Sequence, residues 1–265
     1  MSESNKRNFI VHGSILAIAG ILVRIIGMLY RIPVVNIIGS EGNGIYGAAF
    51  NIYNIMLVLS SYGLPMAVSK LVSARFTKKR YKSAAKVLRC SLMVAVCTGG
   101  IAALLVFFGA SFIENVIYGG GLPGLAVPLR ILAPTIFLVA ILGVIRGFFQ
   151  GQSTMIPTAV SQILEQIVNA IVSIAAGYGM MKAFASLPDV AAYGAAGSTL
   201  GTAMGALTAV LFMGFLYAVY TPTFNRLKRK DRHTENQSTG QICKIIIYTM
   251  IPIIPVSYTH LTLPT

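Results

Sequence analysis

The chain alternates long apolar runs with short polar connections, and six of the runs are long enough to be membrane-crossing helices. A helix needs about 20 residues to cross roughly 30 Å of hydrocarbon. Runs of at least that length fall at residues 9–38, 45–74, 90–112, 127–151, 155–184 and 191–220, and a seventh starts at Lys244. Runs longer than the hydrocarbon is thick must tilt, kink or project beyond it. Pro33, Pro65, Pro134 and Pro157 are candidate kinks or helix starts, because proline removes an amide donor and crowds the preceding turn. The pattern predicts an all-α, polytopic membrane helix bundle with six complete transmembrane helices and part of a seventh. The first run is too long for a cleavable signal peptide and lacks a small-residue cleavage site, so it is expected to remain as the first span.

Composition fits that picture. Hydrophobic residues make up 55% of the chain and charged residues 11%, against roughly 25% charged in soluble domains. The formal net charge is +14, from 21 Lys+Arg and 7 Asp+Glu. A surplus of that size often points to nucleic acid, but its distribution here does not. Outside Arg24, Arg31, Arg130, Arg146 and Lys182, the basic residues lie in three places. These are the N-terminus, the second connection with its flanks (70–89) and the sixth with its flanks (226–244). Alternating crossings put all three on one side, which the positive-inside rule assigns to the cytoplasm together with the N-terminus. No nucleic-acid partner is expected.

The charge pattern also divides the chain. Residues 1–225 read as a six-helix lobe. Residues 226–243 read as a cytoplasmic linker, solvated or resting on anionic headgroups. Residues 244–256 are the start of helix seven. The final segment 257–265, SYTHLTLPT, neither completes a span nor resembles a native terminus, and it reads as a foreign tail. His260 therefore receives no role. Cys90, Cys97 and Cys243 form no CxxC or Cys/His spacing and read as small apolar residues.

The candidate chemistry lies in what interrupts the apolar runs. An ionisable group at mid-bilayer costs about 2.5–3.5 kcal/mol on insertion scales, so such groups face a bundle interior or a water-filled cavity. In the first span Arg24 and Arg31 are seven residues apart, close to two turns, and share a face with Gly20 and Gly27. Snorkelling to an interface is the alternative for Arg31. In the fourth span Arg146 and Gln150 share a face, and the alternative is an arginine at the cytoplasmic edge. The fifth span carries Gln162, Glu165, Gln166, Asn169 and Ser173, a continuous polar stripe at helical spacing. Pairing of Glu165 with Arg146 or Arg24 is the simpler explanation, but a polar cavity accounts for the whole stripe. Asn51 and Asn54 face the same interior or make interhelical hydrogen bonds. Gly197, Gly201 and Gly205 form a small-xxx-small face for close helix packing.

A cavity with arginines suits an anionic ligand, because the guanidinium fork matches phosphate oxygens. An amphiphile with a phosphorylated head and a lipid tail is one such ligand. The sequence contains no Gly-rich phosphate loop, no Ser/His/Asp set and no metal-ligand spacing. No enzymatic activity, metal or cofactor is expected.

Residues 146–168, RGFFQGQSTMIPTAVSQILEQIV, together with 39–47, GSEGNGIYG, and 61–65, SYGLP, carry a family resemblance. They resemble the SpoVB-like branch of the polysaccharide-transporter family, in the superfamily that also contains MATE exporters and MurJ-like lipid II flippases. The resemblance implies the N-terminal lobe of a two-lobe transporter that moves a lipid-linked sugar or peptidoglycan precursor across the bacterial cytoplasmic membrane by alternating access. It also implies that first-helix arginines meet the substrate pyrophosphate, with Arg24 and Arg31 as the equivalents. Glu165 is then a candidate carrier for a coupling proton or sodium ion. A cation-coupled multidrug exporter of the MATE type is the competing transporter reading, and a non-transporting membrane scaffold is the third.

Overall fold

The computed structural model describes residues 3–232 and 238–250, with side chains from Ser14 onward. The tail 257–265 and the prolines at 252 and 255 lie outside the described residues. Among the described residues all regular structure is helical. The elements are α1 (Glu3–Ser60), α2 (Leu64–Thr77), α3 (Tyr81–Phe112), α4 (Ala126–Gly151), α5 (Ile156–Ala183), α6 (Val190–Lys230) and α7 (Thr239–Met250).

Five helical runs are long and apolar enough to cross a membrane: 14–77, 81–117, 126–151, 156–183 and 190–230. The first is not straight. Gly39 sits at φ 71°, ψ −176°, left-handed territory that glycine enters without a Cβ penalty. The bend divides the run into arms of 14–38 and 40–77, each at least a bilayer's length. Counting the arms separately gives the six expected crossings.

The prolines act in two ways. Pro65 and Pro157 lie in the first turns of α2 and α5, where their missing amide is one of the helix's unpaired donors anyway. Pro33 and Pro134 lie inside α1 and α4. A turn at 61–63 separates α1 from α2, with the amides of Ser61 and Tyr62 both donating to the Leu57 carbonyl.

Two boundaries differ from the hydropathy pattern. Helix α6 continues through residues 226–230, and α7 starts at Thr239, ahead of Lys244. Phe224, just ahead of the extension, is buried, and the extension places Lys228, Arg229 and Lys230 in the last turn, where cations favour the negative end of the helix dipole. Asp231 then accepts the Lys82 amide at 2.8 Å. This contact sets the end of α6 against the start of α3, so the two basic connections share one end of the bundle.

Close helix approach depends on two glycine rows. At the predicted row on α6, a Cβ on Gly197 would meet the Ala176 carbonyl, one on Gly201 the Ser173 hydroxyl, and one on Gly205 the Glu165 carbonyl at 2.6 Å. The backbones of α5 and α6 can therefore touch. A second row, Gly143, Gly147 and Gly151 on α4, does the same for α2. A Cβ there would meet Pro65 Cγ at 3.1 Å, the Pro65 carbonyl at 2.6 Å and Val72 Cβ at 2.7 Å, in that order.

Two apolar clusters fill the lobe. Leu64, Val68, Phe148, Met213 and Phe224 centre one, and Ile38, Ile45, Leu129, Leu132 and Ile136 the other. The outer faces are also apolar: Ile101, Leu104, Leu105 and Phe108 on α3, and Leu211, Phe215 and Val219 on α6, are all exposed. Contiguous apolar surface on this scale is incompatible with water and suited to lipid. The chain is a multi-pass membrane protein.

Candidate functional site

The polar side chains inside the lobe gather along α5, and the stripe divides into two halves with different surroundings. The C-terminal half faces the glycine row of α6 and the first arm of α1. Ser173 is fully buried and donates to the Ser198 carbonyl at 2.8 Å and to Asn169 Oδ1 at 2.9 Å. Asn169 Nδ2 donates to the Tyr30 hydroxyl at 3.3 Å, and Thr202 donates to Asn169 Oδ1 at 3.4 Å. Gln166 lies against Gly27, whose Cβ, if present, would be 3.2 Å from Gln166 Nε2. These groups satisfy one another across α1, α5 and α6, as interhelical hydrogen bonds do in membranes.

The N-terminal half faces α4. Arg146 Nη2 donates to Glu165 Oε2 at 2.7 Å, and Arg146 Nε donates to Ser161 Oγ at 2.9 Å. Ser161 in turn donates to the Thr158 carbonyl. The two charged side chains are only 15% and 27% exposed, so each needs the other: a lone ion in a low-dielectric site is costly. The pairing reading of Glu165 is realised, with Arg146 as its partner.

Beside this pair lies a cavity of about 270 Å³ bounded by the α1–α2 turn, α4 and the start of α5. Its polar lining is Ser61, Tyr62, Arg146, Gln150, Thr158 and Gln162, and Leu57 and Val139 supply apolar wall. Two buried atoms at its edge, Gln162 Oε1 and Thr158 Oγ1, have no hydrogen-bond partner among the described residues. An unpaired buried polar atom costs about 1–3 kcal/mol.

Arg24 and Arg31 stand apart from both halves. They lie about 40–60° around α1 from Gly27, which faces α5, at roughly 100° per residue. Both are exposed, and neither is paired with an acid among the described residues. Arg31 and Asn36 line a shallow depression along α1 with Gly27, Met28, Ile32 and Val35. Asn51 and Asn54 are exposed on the second arm of α1, and neither lines the cavity. The structure thus brings together Arg146, Gln150, Gln162 and Glu165, buries Asn169 in packing, and leaves Arg24, Arg31, Asn51 and Asn54 on the surface of α1.

Several participants were not singled out from sequence. Ser161 continues the i, i+4 row of Glu165, Asn169 and Ser173, so its spacing could have revealed it. Tyr30, Thr158, Ser198 and Thr202 carry no such signal. The glycine row 143–151 has the same four-residue spacing as the α6 row and was equally visible.

Comparison with known proteins agrees with this architecture. The sequence model described as "Polysaccharide biosynthesis protein" matches residues 10–250. The chain is 34% identical over 176 residues to the lipid II flippase MurJ of Bacillus subtilis (strain 168), covering 64% of this chain and 32% of that one. It is 31% identical over 209 residues to stage V sporulation protein B of the same organism, covering 78% of this chain and 39% of that one. It therefore spans under half the length of these relatives. Among solved structures, an outward-facing multidrug resistance MATE family transporter of the MOP superfamily superimposes with a TM-score of 0.70 at 17% identity. That match covers 91% of this chain and 51% of the transporter, and it shows a shared fold. With the family model spanning nearly the whole helical lobe, the chain belongs to the polysaccharide biosynthesis protein family.

Proposed function

We propose that this chain is the first lobe of a flippase that moves an undecaprenyl-linked sugar, or a peptidoglycan or polysaccharide precursor, across the bacterial cytoplasmic membrane by alternating access. The observation that carries the reading is the pair of arginines on α1. Arg24 and Arg31 share one face of a spanning helix, are exposed, and have no acidic partner among the described residues. An unmatched cation on such a helix requires water or an anion. The pyrophosphate of a lipid-linked precursor supplies that anion while its lipid tail remains in the bilayer. The relatives' names, a lipid II flippase and a sporulation protein, support the same reading.

In this account the protein is a transporter and not an enzyme. The end of the bundle where α3 begins and α6 ends faces the cytoplasm, with the N-terminus on that side, because the basic connections collect there. Coupling to a proton or sodium gradient through Glu165 would require its bond to Arg146 to open.

A cation-coupled multidrug exporter is favoured by one observation, the fold shared with a MATE transporter. The charge arrangement opposes it. A cationic drug needs a free carboxylate, and Glu165 is engaged by Arg146. The deciding experiment reconstitutes the full-length protein in proteoliposomes with a fluorescent lipid-linked sugar and, separately, with a cationic drug. Lipid movement without drug efflux is expected. Drug efflux without lipid movement would overturn the proposal.

A further inference from the structure

The cavity beside the Arg146–Glu165 pair has the wrong charge for phosphate and the right chemistry for something else. Its one cation is neutralised: Arg146 gives Nη2 to Glu165 at 2.7 Å and Nε to Ser161 at 2.9 Å. What remains is uncharged. Gln150 and Gln162 bring amides, and Tyr62 an aromatic ring that is 58% exposed. Gln162 Oε1 and Thr158 Oγ1 are buried without partners among the described residues, so acceptor capacity at the cavity's edge is unused. At about 270 Å³ the cavity lies just under the roughly 300–1,000 Å³ of drug-sized pockets. That is room for one ring-sized group and too little for a whole lipid-linked head.

A neutral polyhydroxyl ring matches each of these features. Its hydroxyls can exchange hydrogen bonds with the Gln150 and Gln162 amides, which both donate and accept, and its apolar face can lie on the Tyr62 ring. A phosphate would place a second anion beside Glu165 and compete with it for Arg146.

We infer that this cavity is a saccharide subsite, recognising one neutral sugar ring through Gln150 and Gln162 with Tyr62 at its mouth, separate from the arginine face of α1. The inference rests on the proposed transport of a lipid-linked sugar. It divides the recognition between two places: charge on α1, sugar between α4 and α5.

The test uses the full-length protein in nanodiscs and two probes, undecaprenyl pyrophosphate and the same lipid bearing one N-acetylglucosamine. The sugar-bearing lipid is expected to bind roughly tenfold tighter, the equivalent of one or two good neutral hydrogen bonds. Gln162→Leu and Gln150→Leu should each remove most of that preference and keep the affinity for the sugarless lipid. Equal binding of the two lipids by the wild type, or an undiminished preference in both variants, overturns the subsite and leaves the flippase reading standing.

If neither lipid binds, the flippase reading falls, and a second readout judges the cavity alone. Leu57→Cys, in a background with Cys90, Cys97 and Cys243 changed to Ser, places a thiol on the cavity wall. Free N-acetylglucosamine should slow its alkylation by a maleimide, and inorganic phosphate should not. Absence of protection, or equal protection by phosphate, means that the cavity holds water only and overturns the inference.

Discussion

The spanning helices carry arginine in two settings that differ in whether a carboxylate is within reach. On α4, Arg146 is 15% exposed and bonded to Glu165 and Ser161. On α1, Arg24 and Arg31 are exposed and unmatched by any acid among the described residues. By sequence position all three are cations within an apolar run. The difference shows that an intramembrane charge is not by itself a binding group. A matched pair holds two helices together, whereas an unmatched cation retains its capacity for an anion. Helices α4 and α5 make little direct contact with each other and both pack on α6, and the Arg146–Glu165 bridge links them beside the cavity.

The comparison can be broken most severely at the bridge. Arg146→Ala removes one partner and leaves Glu165 partly buried and unpaired. Loss of one member of a fully buried pair costs about 3–5 kcal/mol. Discounted for the partial exposure of both groups, about 2 kcal/mol is expected, read as a lowered unfolding midpoint in detergent. Replacing both members, Arg146→Leu with Glu165→Leu, should recover most of that loss, since an apolar pair of similar volume is often neutral. A double variant as unstable as the single one would mean that the bridge is not what the arginine contributes.

A smaller effect tests the other half of α5. Asn169→Leu disconnects Tyr30, Ser173 and Thr202 from one another. It should cost about 0.6 kcal/mol and no more than about 1.7 kcal/mol, the average and maximum found for interhelical hydrogen bonds in membranes. Because this half packs and does not line the cavity, lipid-linked substrate affinity in the folded variant should be unchanged. A loss of affinity without a loss of stability would join the two halves of the stripe into one binding surface.

Hydropathy made the long helices legible, and glycine spacing did the same for the α5–α6 contact. Three features lay beyond such patterns. The bend at Gly39 depends on one φ angle within an uninterrupted helical run. The ends of α6 and α7 are polar, and tertiary packing of Phe224 and Ile242 holds them helical against their composition. The division of the α5 stripe depends on which neighbour each residue meets. Asn169 and Ser173 face the α6 glycine row, where the backbones touch and no cavity fits. Gln162 and Glu165 face α4, which stands farther away. Taken together, the glycine row and the stripe contained the answer for Asn169 and Ser173. Nothing in the spacing of Arg24 and Arg31 could distinguish them from Arg146, because pairing is a property of three-dimensional proximity.

The most direct test of the account compares Arg24→Ala with the Arg146→Leu/Glu165→Leu double variant. Both are made in the full-length protein, and the quantity measured is the rate of flipping of a fluorescent lipid-linked sugar in proteoliposomes at equal protein content. Arg24→Ala is expected to abolish flipping while the protein remains folded, because the exposed cation is the pyrophosphate contact. The double variant is expected to retain measurable flipping, because its lost charges only held α4 to α5. Wild-type flipping by Arg24→Ala would contradict the assignment of substrate recognition to the unmatched arginines of α1.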